Sequence, residues 1–198
     1  MRVAKKEAYH HGDLRSALVA LALEYVRKKG AESFSLREAA RGAGVTSGAA
    51  YKHFADKDEL LTAVATETLH LFAKQTMKAT AGMKGKARLA ALGRAYIDFA
   101  STEPQLFRLA FSRFGAPFAE HPSRNGDETV PDAFEQLRLA LADIQGGPDK
   151  QVDSDALAMC WAVVHGAASL ISDGMWKKND PRAEAALRVS FKGIAPGK

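Results

Sequence analysis

The sequence predicts an all-α protein with a small N-terminal helical domain, residues 1–57, and a larger helical domain, residues 58–198. Apolar residues recur at helical spacing along most of the chain, and helix start and stop signals separate these stretches. No stretch shows the alternating pattern of a half-buried strand. The apolar share of 46% and the charged share of 26% are ordinary for a globular protein with a core.

An apolar stripe predicts the first helix, and a capping sequence predicts the start of the second. The stripe begins at Leu14 and stops at the cations and glycine of residues 28–30, which favour a helix C-terminus. Residues 35–38 have the spacing of a capping box, in which Ser35 and Glu38 each bind a backbone N–H of the first turn. We therefore expect a short second helix that stops near Gly42.

A third short helix and a long fourth one follow. Thr46 can cap the third helix, which should run to about His53 with Phe54 facing inward. Asp56 has the position of a cap for the fourth helix. The buried face of the fourth helix is expected to contain Leu61, Val64, Ala65, Thr68, Leu71, Phe72 and Gln75.

The larger domain is also predicted to be helical. Two helices should lie on either side of Pro104, and residues 115–130 are rich in Gly, Pro and charge, as in a loop. A further helix is expected from about Pro131 to Ile144, followed by an apolar helix over residues 156–172. The last helix should begin at Pro181, because proline suits the first helical turn.

The excess positive charge is confined to the N-terminal domain. Residues 1–57 hold 11 Lys and Arg against 6 Asp and Glu, whereas residues 58–198 hold 17 of each. A solvated basic face would account for this imbalance. A polyanionic partner for this domain alone would also account for it.

The turn between the second and third helices favours the second interpretation. Two short helices joined by the tight turn at residues 42–45 fit a helix-turn-helix, and the small residues 46–48 let the third helix approach DNA closely. Tyr51, Lys52 and His53 then supply the hydroxyl, cation and ring N–H that phosphate oxygens accept. The spacing alone also occurs by chance in helical proteins, and Ala49 can belong to core packing.

The stretch FSLREAARGAGVTSGAAYKHFADKDELLTAV, residues 34–64, resembles the DNA-binding domain of the TetR family of transcriptional regulators. The matching positions are Leu36, Ala40, Gly44, Val45, Gly48, Tyr51, His53, Phe54, Lys57, Leu60 and Leu61. The segments YHHGDLR, FRLAF and WAVVHGAASL resemble one subgroup of the family, whose C-terminal domain carries a Trp…His-Gly signature.

The resemblance implies a cytoplasmic homodimer, acting as a repressor, that binds a pseudo-palindromic operator in double-stranded DNA and a small-molecule effector. It assigns DNA contacts to Ser35, Arg37, Thr46, Ser47, Tyr51, His53 and Lys57. Two positions depart from the pattern, since many relatives have threonine at Ala49 and leucine at Ala50. Ala49 lacks a hydroxyl contact and Ala50 leaves a smaller core residue, so base preference should differ.

The effector site is expected on one face of the apolar helix. Trp161, His165, Ser169, Ser172 and Trp176 share that face. They are either a packed core histidine beside tryptophan or the wall of a ligand cavity. Tyr96, Phe107 and Phe111 are the expected opposite wall. The small residues of this helix, together with Ala183, Ala186, Leu187 and Phe191, suggest a dimer interface, although composition alone does not distinguish such an interface from core packing.

Other classes of function find little support in the sequence. There is no HExxH, P-loop, dinucleotide-binding glycine turn or GxSxG motif, so we expect neither an enzyme nor a cofactor. Cys160 and His165 lie about 140° apart around a helix, which does not suit a catalytic pair. His10 and His11 could bind metal adventitiously, but we expect them to belong to a flexible polar arm, and we expect no built metal site.

The compartment is also predicted from composition. The single cysteine fits a reducing cytosol, and the first residues lack the apolar segment of a secretory signal. Residues 156–172 are slightly short for a membrane span, so a helix buried in protein is expected. The alternative to a DNA-binding regulator is an effector-binding helical protein without sequence-specific DNA reading, and salt-dependent duplex binding distinguishes the two.

Overall fold

The computed structural model describes residues 14–115, 131–147, 152–192 and 194. Within these ranges every regular element is a helix, which confirms the predicted all-α fold class. We number the described helices α1 (Leu14–Lys29), α2 (Leu36–Ala43), α3 (Ser47–Tyr51), α4 (Lys57–Ala79), α5 (Gly85–Thr102), α6 (Pro104–Ala110), α7 (Ala133–Gln145), α8 (Ser154–Ser172) and α9 (Pro181–Lys192). Apart from Gly115, the predicted loop at residues 115–130 lies outside the described part.

The chain divides into two compact units between Val64 and Ala65, within α4. In the first unit α1, α2 and α3 pack against one another. Their core contains the buried side chains of Leu18, Val26 and Leu36. The boundary expected between residues 57 and 58 stays a prediction, because α4 is continuous across it.

The turn between α2 and α3 has a defined geometry. Gly44 adopts a positive φ of 72°, which an L side chain rarely takes. The Gly44 N–H donates to the Arg41 carbonyl at 3.2 Å, and the Val45 N–H donates to the Ala40 carbonyl at 3.0 Å. This pair of bonds is a Schellman motif that ends α2 and points the chain into α3.

The larger unit is built around α5. This helix packs against α6, α7, α8 and α9, and α9 also packs along α8. Gly93 lets α5 and α9 approach closely, since a Cβ at that position would lie 2.9 Å from Leu187 Cδ2. Ala183 and Leu187 are buried in this core. The suggestion that these two residues form a dimer interface is therefore wrong, because α9 turns them toward α5 and α8 of the same chain.

The buried stripe of α4 is narrower than the sequence analysis expected. Thr68, Phe72 and Thr76 are buried, whereas Leu71 is 39% exposed and Gln75 is also exposed. Buried positions spaced three and four residues apart follow the helical repeat, and Leu71 lies about 100° away from Phe72 around the helix. Leucine at position 71 is apolar, but it does not face the core.

The apolar helix α8 is buried along one face only. It is long and apolar enough to cross a membrane by length and composition, and 28% of that window is buried. Cys160, Val164 and Ala168 face the core. Ala162 and Gly166 are exposed, so within the single chain this helix is only partly buried in protein.

Candidate nucleic-acid interface and aromatic cleft

Five of the eight predicted DNA-contacting side chains are exposed, at the start of α2 and around α3. Thr46, Lys52 and His53 are exposed, Tyr51 is 49% exposed, and Arg37 is exposed at the start of α2. The helix α3 ends at Tyr51, two residues before the expected end. Lys52 and His53 occupy the following turn, after which Phe54 enters the core.

Two hydroxyls in this region take part in helix caps, as the sequence predicts. Thr46 Oγ1 accepts the Ala49 N–H at 3.3 Å and leaves its own hydroxyl proton available. Ser35 Oγ accepts the Glu38 N–H at 3.3 Å and donates to Glu38 Oε2 at 3.2 Å. A phosphate contact by the Ser35 hydroxyl proton would therefore replace its bond to Glu38 Oε2, while both backbone N–H bonds of the capping box could remain. Ser47 is partly buried beside the cap.

The Lys57 ammonium has a role within the protein that the sequence did not reveal. Its Nζ donates to the carbonyl oxygen of Glu32 at 2.8 Å, across 25 residues. This bond links the first turn of α4 to the connection between α1 and α2. A point charge with three donors can hold this carbonyl and still face a phosphate, so the assignment of Lys57 to DNA remains a prediction.

The cations of the first unit differ in how they are neutralised. Arg41 lies 3.8 Å from Glu38, and Lys28 lies 3.8 Å from Glu24. Within the described residues, neither Arg37 nor Lys52 forms an ion pair. An exposed cation that no carboxylate neutralises attracts phosphate more strongly, so Arg37 and Lys52 are the stronger candidates for backbone contacts.

The aromatic residues predicted for the effector site do lie together in the larger unit. The Tyr96 hydroxyl and His165 Nδ1 are 2.9 Å apart. The Trp161 and His165 rings stack at 6.1 Å with an angle of 6° between their planes. Phe107 and Phe111 lie 5.6 Å and 5.1 Å from the His165 ring.

Burial fixes the protonation of the central pair. Burial raises the pKa of the Tyr96 hydroxyl far above neutral pH, and burial lowers the pKa of His165 below its ordinary value. Tyr96 therefore keeps its proton and His165 is a neutral imidazole at neutral pH. The 2.9 Å bond joins the Tyr96 hydroxyl to Nδ1, and the tautomer of the ring decides which of the two atoms donates.

A small apolar cleft lies beside this pair. Its volume is about 20 Å³, which is roughly room for one water molecule. Tyr96 and Trp161 line the cleft, whereas Phe107, Phe111 and His165 do not. The remaining lining residues are Leu89, Leu92, Gly93, Ala133, Leu137, Cys160, Val164 and Phe191. Burial raises the pKa of Cys160 to about 11, so it lines the cleft as a neutral thiol.

Gln136 is a polar residue of this region that the sequence analysis missed. Its Nε2 donates to the Ala73 carbonyl at 2.9 Å and to the Pro131 carbonyl at 2.8 Å, so the amide orientation is fixed. Its Oε1 is buried without a hydrogen-bond partner. Gln136 follows Glu135 and lies two residues before Arg138, so no local pattern distinguishes it from a solvated polar residue.

The His165 pair leads to a prediction about pH. The unfolded chain protonates this histidine near its ordinary pKa of about 6.5, and the folded chain does so only at lower pH. The stability associated with neutral His165 is therefore present above about pH 6.5 and is lost as the pH falls through the folded pKa. We expect the free energy of unfolding in urea to fall less between about pH 7 and pH 5.5 in His165→Asn than in the wild type.

Asp180 does not confound this comparison, because hydrogen bonds from Arg182 lower its pKa to about 2, below the range tested. Equal pH dependence in the wild type and His165→Asn would contradict the prediction. The other described titratable residues are the same in both proteins, so the difference between the two proteins isolates the histidine.

Comparison with known protein families identifies the family of this chain. Residues 18–64 match the family described as bacterial regulatory proteins, tetR family. Residues 89–190, about half of the chain, match the family described as tetracyclin repressor-like, C-terminal domain. The chain belongs to the TetR family. It is therefore a ligand-responsive DNA-binding transcriptional regulator, in a family whose members are generally not enzymes.

Solved structures show the same fold. A protein with unknown function from Rhodococcus sp. RHA1 is 29% identical, with a TM-score of 0.65 over 96% of this chain and 100% of that chain. A regulatory protein in the tetR family from Rhodococcus RHA1 is 19% identical, with a TM-score of 0.62 over 94% and 100%. The fatty acid degradation regulator FadR from Bacillus halodurans is 14% identical, with a TM-score of 0.62 over 94% and 98%. No curated protein matches the chain significantly in sequence.

Within the described ranges, no group of three or more His, Cys, Asp or Glu residues is arranged to hold a metal ion. His10 and His11 lie outside the described residues, and the expectation that they form a polar arm stays a prediction.

Proposed function

We propose that this TetR-family regulator is a cytoplasmic homodimeric repressor that leaves a pseudo-palindromic operator when a small effector binds its larger unit. The observation that carries the proposal is the presence of two sites in one chain. Exposed donors for phosphate lie around a helix-turn-helix, and a partly buried phenol–imidazole pair meets an apolar cleft through Tyr96. We also place the protein in the subgroup with a Trp…His-Gly signature, because Trp161 and His165 stack as one unit before Gly166.

The DNA-binding part rests on the surface around α3. Arg37, Thr46, Tyr51, Lys52 and His53 offer donors of different types over a short length of backbone. Such donors fix the register of a protein on duplex DNA through phosphate oxygens, while base edges supply sequence preference. A recognition helix of five residues covers few bases, so two protomers on two half-sites are needed for specificity.

The effector proposed for the cleft is small and mostly apolar. Aromatic and aliphatic side chains line the cleft together with the Cys160 thiol, and His165 is not among the lining residues. A site for a drug-sized ligand usually has roughly 300–1,000 Å³. A cleft of about 20 Å³ must therefore widen to admit such a molecule, and binding is coupled to movement of the helices around it.

The helix α4 provides the connection to DNA binding. Phe72 of α4 lies 4.9 Å from the Tyr96 ring, and the Ala73 carbonyl accepts the Gln136 amide. When Tyr96 or α7 moves to admit a ligand, these contacts move α4, which also contributes the first unit's Leu60 and Leu61. An effector has to favour one arrangement over the other, and a typical coupling of 1–3 kcal/mol weakens DNA binding about 5–150-fold.

The effector proposal predicts that substitution of Trp161 raises the effector concentration needed to release DNA. Once a compound that releases the protein from its operator is found by screening, Trp161→Ala should need at least about tenfold more of it, because the aromatic wall of the cleft is lost. Trp176→Phe is the matched control, since Trp176 contacts Arg182 and does not line the cleft. Release of DNA by Trp161→Ala at the wild-type concentration would show that the effector binds elsewhere.

The proposed dimer interface is the exposed face of α8. Ala158, Met159, Ala162 and Gly166 are exposed there, and Val189 is exposed on α9. Small side chains allow helices of two chains to approach closely, and the apolar face is then removed from water. This assignment replaces Ala183 and Leu187 of the sequence analysis, which belong to the core of one chain.

The interface is tested by placing a charge at its centre. Ala162→Arg is expected to convert the dimer to a monomer at micromolar concentration, because the guanidinium would be buried without a partner. Ala79→Arg is the matched control, since Ala79 is an exposed alanine at the end of α4. Sedimentation of both variants measures the effect. A dimer that persists in Ala162→Arg would exclude this face as the interface.

Repression itself is tested with the operator in place. The operator is isolated by selection from genomic DNA with the purified protein and is placed across a promoter in an in vitro transcription reaction. The proposal predicts that the protein lowers transcription from this promoter and that two protomers, or a multiple of two, bind each duplex. Increased transcription would identify an activator instead.

A further inference from the structure

One cation of the DNA-binding unit is held in place by an aromatic ring beside the predicted phosphate contacts. The guanidinium carbon of Arg15, on α1, lies 4.7 Å from the centre of the Phe54 ring. Phe54 is 1% exposed, whereas Arg15 is exposed. The arginine therefore covers the ring and keeps its charged group at the surface.

The position of Phe54 places this guanidinium near the interface. Phe54 directly follows Tyr51, Lys52 and His53, which are all exposed. Neighbouring Cα atoms are about 3.8 Å apart, so a group stacked on the Phe54 ring lies near the end of this segment. Duplex DNA carries one phosphate charge for each ~1.7 Å of its axis. A DNA backbone that contacts His53 would therefore carry further phosphates close enough for the Arg15 side chain to bind.

The position over the ring also suits phosphate chemistry. A cation–π contact uses none of the five guanidinium N–H groups as a donor to an oxygen acceptor. Those N–H groups form the fork that binds two oxygens of one phosphate. Arg15 forms no ion pair within the described residues, so no carboxylate there neutralises this charge. The ring further limits the side-chain conformations that the arginine would lose on binding.

We propose that Arg15 binds a DNA phosphate and that Phe54 orients it for this contact. The proposal rests on the DNA-binding function proposed above and adds a contact from α1, outside the helix-turn-helix. In this arrangement Phe54 has two roles, since it anchors the end of α3 in the core and supports the arginine at the surface.

The test measures how duplex affinity depends on salt. The probe is a 30-base-pair duplex of random sequence, because phosphate contacts do not depend on sequence. Each phosphate contact adds about 0.9 to the slope of log affinity against log salt concentration. Arg15→Ala should therefore reduce the slope by about 0.9 for each bound protomer, or about 1.8 for a dimer.

Two further variants separate charge from geometry. Arg15→Lys should keep the slope of the wild type but bind more weakly, because lysine keeps the charge without the planar fork. Lys28→Ala is the matched control on the same helix, where Lys28 is paired with Glu24 near the other end of α1. We expect its slope to equal that of the wild type. Thermal unfolding of each variant confirms that it is folded.

The possible results are distinct. An unchanged slope in Arg15→Ala, with a lowered unfolding temperature, would show that Arg15 only covers Phe54, and would overturn the proposal. A slope reduced equally in Lys28→Ala would show a general charge effect, and would overturn it too. If the wild type bound duplex DNA without salt dependence, the proposed function would fail first, and the assignment of Arg15 with it.

Discussion

Replacing Lys52 with glutamate is expected to lower the affinity for duplex DNA by about 100-fold or more at roughly 0.1 M salt. Lys52 is exposed in the turn after α3 and forms no ion pair within the described residues. The substitution turns an attraction to phosphate into a repulsion in each protomer. Placing like charges together at an interface costs several kcal/mol, and every 1.4 kcal/mol is a factor of ten. Titration of a fluorescent duplex measures the change.

Lys28→Glu is the control for this prediction. It makes the same charge change at an exposed lysine of the same unit, near the C-terminus of α1. Its effect should be much smaller, because surface charges separated by more than about 10 Å are largely screened at this ionic strength. Equal losses in the two variants would mean that only the net charge of the unit attracts DNA, and that Lys52 has no specific place at the interface.

Truncation of Phe72 to alanine is expected to lower the free energy of unfolding by about 3–5 kcal/mol, the usual cost of removing a buried phenylalanine. Phe72 is 0% exposed, and its ring contacts those of Tyr96, Phe99 and Phe111 at 4.8–6.0 Å. The cavity would remove the packing between α4 and the aromatic cluster. Urea unfolding, followed by circular dichroism, measures the loss.

The neighbouring residue provides a matched comparison. Leu71→Ala truncates the adjacent apolar side chain, at a position that is 39% exposed. Leu71→Ala should lower the free energy of unfolding by less than about 1 kcal/mol, because the substitution removes little buried apolar surface. A cost for Leu71→Ala as large as that for Phe72→Ala would mean that Leu71 is covered in the folded protein, contrary to the structure.

Local features of the fold were predictable where short-range chemistry determines them. The capping box at Ser35, the cap at Thr46 and the glycine at position 44 each specify a backbone geometry within four residues. The apolar repeat likewise identified helices on both sides of Pro104. These features depend on neighbours along the chain, and the sequence contains those neighbours explicitly.

Features that depend on distant partners were not predictable in this way. The register that buries Phe72 and exposes Leu71 depends on where α4 meets the rest of its unit, since both residues are apolar. The Lys57 bond to Glu32 and the Gln136 bond to Ala73 join residues 25 and 63 positions apart. No pattern in a single sequence indicates such pairs.

The effector site shows the same division. The sequence predicts that Trp161 and His165 share one helix face. In the structure their rings stack, and His165 Nδ1 forms a hydrogen bond with the Tyr96 hydroxyl. Whether such aromatics form a core or a pocket depends on the space between helices, which periodicity does not specify. The cleft of about 20 Å³ shows that in this arrangement the group is mostly core, with a narrow opening beside Trp161.

The salt dependence of wild-type binding to its selected operator tests the central claim most directly. If about six phosphates are neutralised in each complex, the logarithm of the affinity should fall against the logarithm of the salt concentration with a slope near −5. Competition with a random duplex in the same series separates specific from general attraction. An affinity that does not change with salt, or equal affinity for both duplexes, would contradict the account and favour an effector-binding protein without sequence-specific DNA reading.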